Sequence, residues 1–142
     1  MKVMVIVKAT KESEAGVLPS QQLLAEMTRF NEELAKAGVL LAAEGLHSSS
    51  KGKRVRFSGQ NRTVVDGPFT ETKELVAGFW LWKVKSMEEA VAWVKRCPNP
   101  HNAPGEIEIR QVFDPEDFAP IDPTGEFRAS EARMRERIEN PS

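Results

Sequence analysis

This sequence predicts an α+β fold in the order strand, helix, strand, hairpin, strand, helix, strand. Three observations carry the prediction: short runs of apolar–polar alternation, two helical stripes closed by capping signals, and a turn, Asp66-Gly67-Pro68, that leads into the most apolar strand of the chain. From Val76 onward Trp80, Trp82 and Val84 fall on one face and Phe79 and Leu81 on the other, so both faces are apolar. A strand of that kind needs cover on both sides. One side is expected to pack on helices of its own chain and the other on something else.

Met1 to Lys8 reads as the opening strand, because Val3 to Val7 is an apolar run held between Lys2 and Lys8. The run is too short for a membrane span and poorly matched to a secretory signal. The polar stretch through Thr10, Lys11, Glu12, Ser13 and Gly16 predicts a solvated loop with room for a lid. Ser20 is a candidate N-cap, and Leu23, Met27, Phe30 and Leu34 then recur at steps of four, three and four until Gly38. That pattern predicts a helix from about Ser20 to Ala37.

Val39 to Leu46 predicts a second strand and places His47 at its end, ahead of a polar loop from Ser48 to Lys53. Val55 and Phe57 alternate with Arg54 and Arg56, Ser58 to Asn61 turns the chain, and Arg62 to Asp66 returns, which predicts a hairpin. After the Trp80 strand, Ser86 and Glu89 form an S-x-x-E capping box, and Ala90, Val91 and Val94 supply the buried face of a helix that Cys97-Pro98-Asn99-Pro100 cannot continue. Glu106 to Phe113 alternates again, with Ile107, Ile109 and Phe113 on one face. The plan is ferredoxin-like, βαββαβ, with an inserted hairpin and an open antiparallel sheet carrying helices on one face.

Residues 1–113 therefore read as one domain and residues 114–142 as a tail. Pro115, Pro120 and Pro123 punctuate a linker, and Glu126 to Glu139 carries four Arg and four Glu around a narrow stripe of Phe127, Met134 and Ile138. Glu131 and Arg135 are spaced for a helical ion pair. The tail helix is either a docking element or a solvated, frayed end.

Several function classes are excluded by composition and motif. With 20 Lys and Arg against 21 Asp and Glu, the chain has no electrostatic case for nucleic acid or anionic membrane. Cys97 is the single cysteine, so no internal disulfide forms, which fits a reducing compartment and makes the cytoplasm the expected location. It also lacks a neighbouring group that would make it a nucleophile. His101 has no second ligand at metal spacing, and no metal or cofactor is expected. The Asn61-Arg62-Thr63 acceptor pattern has no consequence without a secretory signal, and the Ser48 to Lys53 loop is not a phosphate loop.

The blocks Ala43-Glu44-Gly45-Leu46-His47, Asp66-Gly67-Pro68-Phe69, Glu71-Thr72-Lys73-Glu74 and Gly78-Phe79-Trp80 resemble the DGPF family of YCII-related domains, in that family's order, across roughly residues 1–113. The resemblance implies a subunit of a dimeric α/β barrel, a homodimer in which the sheets of two chains close face to face. It also implies a His and an Asp suspected of catalysis, and a kinship with partners of certain transcription-initiation factors.

His47 and Asp66 are accordingly the first candidates for chemistry, since an imidazole oriented by a carboxylate can move protons near neutral pH. The plainer alternative is an Asp66 bonded to its own turn and a His47 meeting water. Glu71 is an alternative base and Lys73 a candidate clamp for an anionic substrate, unless the two form a solvated loop pair. Phe79 and Trp80 are candidates to line a pocket for a small organic ligand, or else belong to core and interface. Two functions follow as expectations: a cofactor-free enzyme performing proton transfer on a small molecule, or a non-catalytic protein that binds a small molecule or a regulatory partner.

Overall fold

A computed structural model describes residues 1–101 and 103–141. Four strands, β1 (Lys2–Lys8), β2 (Leu40–Gly45), β5 (Val76–Lys83) and β6 (Ile107–Gln111), build one sheet in the order β2-β5-β1-β6. Every neighbouring pair is antiparallel, which is the pairing a βαββαβ chain adopts. Strands β3 (Lys53–Ser58) and β4 (Asn61–Asp66) form the inserted hairpin as a separate two-stranded sheet. The helices are α1 (Lys11–Glu14), α2 (Gln21–Lys36), α3 (Met87–Arg96) and α4 (Glu126–Glu139).

Helix α2 begins and ends where the capping residues dictate. The Ser20 hydroxyl accepts from the Leu23 amide at 3.1 Å. At the other end Gly38 sits at φ +74°, and the Val39 and Gly38 amides donate to the Leu34 and Ala35 carbonyls at 2.9 and 3.1 Å. That pair of bonds is a Schellman closure, and the left-handed position is why glycine stands there. In α3 the Ser86 hydroxyl accepts from the Glu89 amide at 3.1 Å, but the Glu89 carboxylate reaches back to the Lys85 amide at 2.7 Å rather than to Ser86. The expected reciprocal cap is thus shifted by one residue on its return side.

Alternation along β5 sorts its side chains onto two faces. Val5 lies opposite Trp80 and Val3 opposite Trp82, and these join Phe30 and Leu34 of α2, Val39, Val84 and Ala90 of α3 in the core. Phe30 meets Trp80, Trp82 and Trp93 edge-on at centroid distances of 6.1, 6.3 and 6.4 Å. Trp80 finds a partner for its indole N–H in Asn31 Oδ1 at 2.8 Å. The Trp82 N–H, by contrast, is buried with no hydrogen-bond partner among the described residues.

On the opposite face Ile6 lies across from Phe79 and Met4 across from Leu81. These four are half-buried, and the core cluster of the described residues does not include them. Glu108 and Arg110 of β6 flank them, opposite Ile6 and Met4. The two-sided character expected of β5 is therefore present, with the Trp face packed on helices.

Two segments differ from expectation. The stretch after β1 contains a helical turn, α1, because Thr10 and Ser13 cap each other: the Ser13 amide donates to Thr10 Oγ1 at 3.1 Å and the Thr10 amide to Ser13 Oγ at 2.8 Å. The last strand stops at Gln111, and Phe113 is 71% exposed rather than part of the sheet core. Phe113 instead stacks on Phe118 at 4.9 Å, and Phe118 meets Phe127 at 5.3 Å.

That aromatic trio begins an ordered tail. A 3₁₀ segment, Pro115–Ile121, leads to the buried Asp122, whose carboxylate accepts from the Phe127 and Arg128 amides and from Arg128 Nε at 3.0, 3.1 and 3.0 Å. Arg128 also reaches Glu116 at 3.1 Å, and Glu131 pairs with Arg135 at 3.1 Å as their spacing predicts. Burial alone would raise the Asp122 pKa, but the bonds from Phe127 and Arg128 outweigh it and hold the carboxyl below its ordinary range. A carboxyl depressed in the folded state stabilises above its unfolded pKa and ceases to do so as the pH falls through the folded value. The start of α4 is therefore expected to lose order below about pH 4, where carboxylates protonate. Amide exchange at Phe127 and Arg128 reads this directly, and Asp122→Asn should remove the pH dependence; protection that persists to lower pH would contradict the assignment.

Candidate functional site

The C-terminal ends of β1 and β2 and the start of β5 lie at one end of the sheet, and the loops there carry the polar residues. Backbone bonds fix their roots: the Ala9 amide donates to Leu75 O at 2.9 Å and the Leu46 amide to Ala77 O at 2.8 Å. Gly78 is needed where β2 and β5 approach, since a Cβ on it would stand 2.9 Å from the Glu44 carbonyl oxygen.

The loop from Ser48 to Gly52 and the Asp66-Gly67-Pro68-Phe69 turn are clasped together. The Gly67 amide donates to Gly52 O at 3.0 Å and the Phe69 amide to Ser49 Oγ at 3.0 Å. Gly67 lies so close to Ser49 that an added Cβ would be 1.7 Å from the Ser49 carbonyl oxygen, and the Gly67-Pro68 peptide is cis. Ser49 is held in turn by Glu14 of α1, whose carboxylate accepts from the Ser49 amide at 2.9 Å and from its hydroxyl. The Ser49 hydroxyl thus donates to α1 and accepts from the turn.

The sequence-predicted residues surround this clasp. His47 is exposed, with Lys51 Nζ 3.5 Å from its Nδ1. Asp66, 74% exposed, pairs with Lys53 across the root of the hairpin. Among the described residues, no hydrogen bond or ion pair joins His47 to Asp66. Glu71 is exposed and lies 3.9 Å from Arg54, whose guanidinium stacks over Phe69 at 3.8 Å. Lys73 is exposed on the 3₁₀ turn Thr72–Glu74.

Phe79 and Trp80 point to opposite sides of the sheet. Phe79 is on the half-buried face with Ile6, and Trp80 is 5% exposed within the helix-covered core. Lys8, at the same end of β1, bonds Glu108 at 3.1 Å and holds that carboxyl below its usual range by hydrogen bonding and charge.

Sequence reasoning did not find Glu14 and Ser49. Their contact spans 35 positions, and neither residue belongs to a periodic pattern or motif that would single it out. Among the described residues, no group of three His, Cys, Asp or Glu is placed to hold a metal ion, and no helix is long and apolar enough to cross a membrane. Burial pushes the Cys97 thiol up to about 11, well away from nucleophilic use at neutral pH.

The family model described as YCII-related domain matches residues 1–116. An uncharacterized protein of Rhizobium meliloti (strain 1021) is 28% identical over 92 residues, which cover 65% of this chain and 74% of that protein.

Proposed function

Since this chain belongs to the YCII-related domain family, we propose that it works as a homodimer of the dimeric α/β-barrel kind, with a site for a small organic molecule enclosed where two sheets meet. The apolar second face of the sheet carries this reading. Met4, Ile6, Phe79 and Leu81 adjoin one another away from the helices. Removing each such side chain from water contributes about 1.5–3 kcal/mol, and a two-fold partner presents the same surface in return. The charged fringe of Glu108 and Arg110 then sets orientation more than affinity.

In this reading His47 and Asp66 form the proton-transfer pair of a cofactor-free enzyme, with Glu71 as alternative base and Lys73 clamping an anionic group. Phe79 supplies the apolar floor and Trp80 backs the strand from the core side. The lysines beside His47 and Asp66, Lys51 and Lys53, yield to substrate when the site is filled. Residues 114–142 are an appendage to the domain at 1–113.

Non-catalytic binding is the second reading. It is favoured by the exposure of His47 and Asp66 and by the uncovered Phe127, Met134 and Ile138 of α4, which would dock a regulatory protein partner, such as one associated with transcription initiation.

Sedimentation velocity at micromolar concentration is expected to give a dimer, and Phe79→Glu a monomer; a monomeric wild type would remove the homodimer. Thermal-shift screening with small carboxylic acids and lactones should find a ligand that raises Tm by about 5–10 °C at a hundredfold excess over Kd. If that ligand is turned over, His47→Gln and Asp66→Asn should each abolish turnover while keeping the shift. Binding without turnover supports the second reading.

A further inference from the structure

We propose that the β3–β4 hairpin is a dimer arm that lies against the acidic body of a second copy of this chain, an inference that rests on the homodimer proposed above. Apart from its root, the hairpin is separate: it pairs with no strand of the main sheet, and a two-stranded ribbon alone in water is marginal. Yet one of its faces is apolar. Val55 stands opposite Val64 and Phe57 opposite Arg62, with Val55, Phe57 and Val64 exposed by 49, 71 and 59%. The Arg62 guanidinium covers only one side of the Phe57 ring, at 4.5 Å. The root, in contrast, is rigid, tied by Lys53 to Asp66 and by the Gly67 amide to Gly52 O.

Charge names the occupant. Residues 51–66 hold five basic side chains, Lys51, Lys53, Arg54, Arg56 and Arg62, against the one acid Asp66. Of the chain's 20 basic and 21 acidic residues, this leaves 15 basic and 20 acidic elsewhere. The arm and the body of the same chain are therefore of opposite sign, and two-fold symmetry lets each arm meet the other's body. The arm springs from the end of the sheet whose Phe79 face is the proposed interface, so the contact extends that interface instead of competing with it.

The test measures the dimer Kd of the full chain by sedimentation equilibrium. Combined Val55→Ser, Phe57→Ser and Val64→Ser substitution is expected to raise Kd at least tenfold with unchanged tryptophan fluorescence of the core. Arg56→Glu should raise it severalfold and flatten a wild-type Kd that itself increases with NaCl. A triple variant within twofold of wild type, together with a salt-independent Kd, overturns the arm. If Phe79→Glu then still yields monomer, the sheet-face dimer survives without it; if the triple variant dissociates and Phe79→Glu does not, the arm stands and the sheet face fails. A monomeric wild type overturns both. Anisotropy with labelled duplex DNA provides the remaining check: binding that Arg56→Glu abolishes, with the dimer Kd unchanged, reassigns the arm to nucleic acid.

Discussion

Gly67→Ala is expected to cost at least ~3 kcal/mol of unfolding free energy, the upper range for forcing atoms into a packed site. An alanine Cβ would fall 1.7 Å from Ser49 O, 2.7 Å from Ser49 C and 3.3 Å from Gly52 O, all backbone atoms that no rotamer change can move aside. The clasp between the two loops must open for the residue to fit. Asp66→Asn, one position earlier, is the contrast: its partner Lys53 is exposed too, and exposed ion pairs contribute about 0–1 kcal/mol. Urea unfolding of the two variants separates them, and a Gly67→Ala loss under ~1 kcal/mol, no more than a median substitution costs, would mean that the loops are not held as described.

Trp82→Ala carries the second large effect, about 3–5 kcal/mol, as truncation of a buried aromatic generally does. Trp82 is fully buried, packs on Trp80 at 5.8 Å and on Phe30, and lies opposite Val3. Its neighbours come from β1, β5 and α2, so the cavity opens where the layers meet and cannot collapse by moving one loop. Trp82→Phe should cost much less, because it also removes an indole N–H that has no partner among the described residues. Equal losses for the two substitutions would show that packing volume, not the orphaned donor, decides the balance at this site.

Periodic features of the fold were readable in advance because they depend on near neighbours. The stripe through Phe30 and Leu34, the glycine after it and the two faces of β5 all follow from the geometry of one element at a time. Phe113 was misplaced for the same reason: alternation extended the strand to it, whereas the aromatic contacts with Phe118 and Phe127 lie in a tail whose folding depends on Asp122. The candidate site divides likewise. Its turn residues Asp66 and Gly67 announced themselves by type, but the residues that hold the turn, Ser49 and Glu14, meet only through tertiary structure.

The Ser49 hydroxyl makes the loops at this end of the sheet a single mechanical linkage. One oxygen receives the Phe69 amide and gives its proton to Glu14, so α1, the Ser48–Gly52 loop and the root of the hairpin share one fastening. Anything that draws the Glu14 carboxylate away, whether a competing cation or a shift of residues 11–14, slackens all three together. Communication between the edge of the candidate site and the hairpin thus needs no change in the sheet itself.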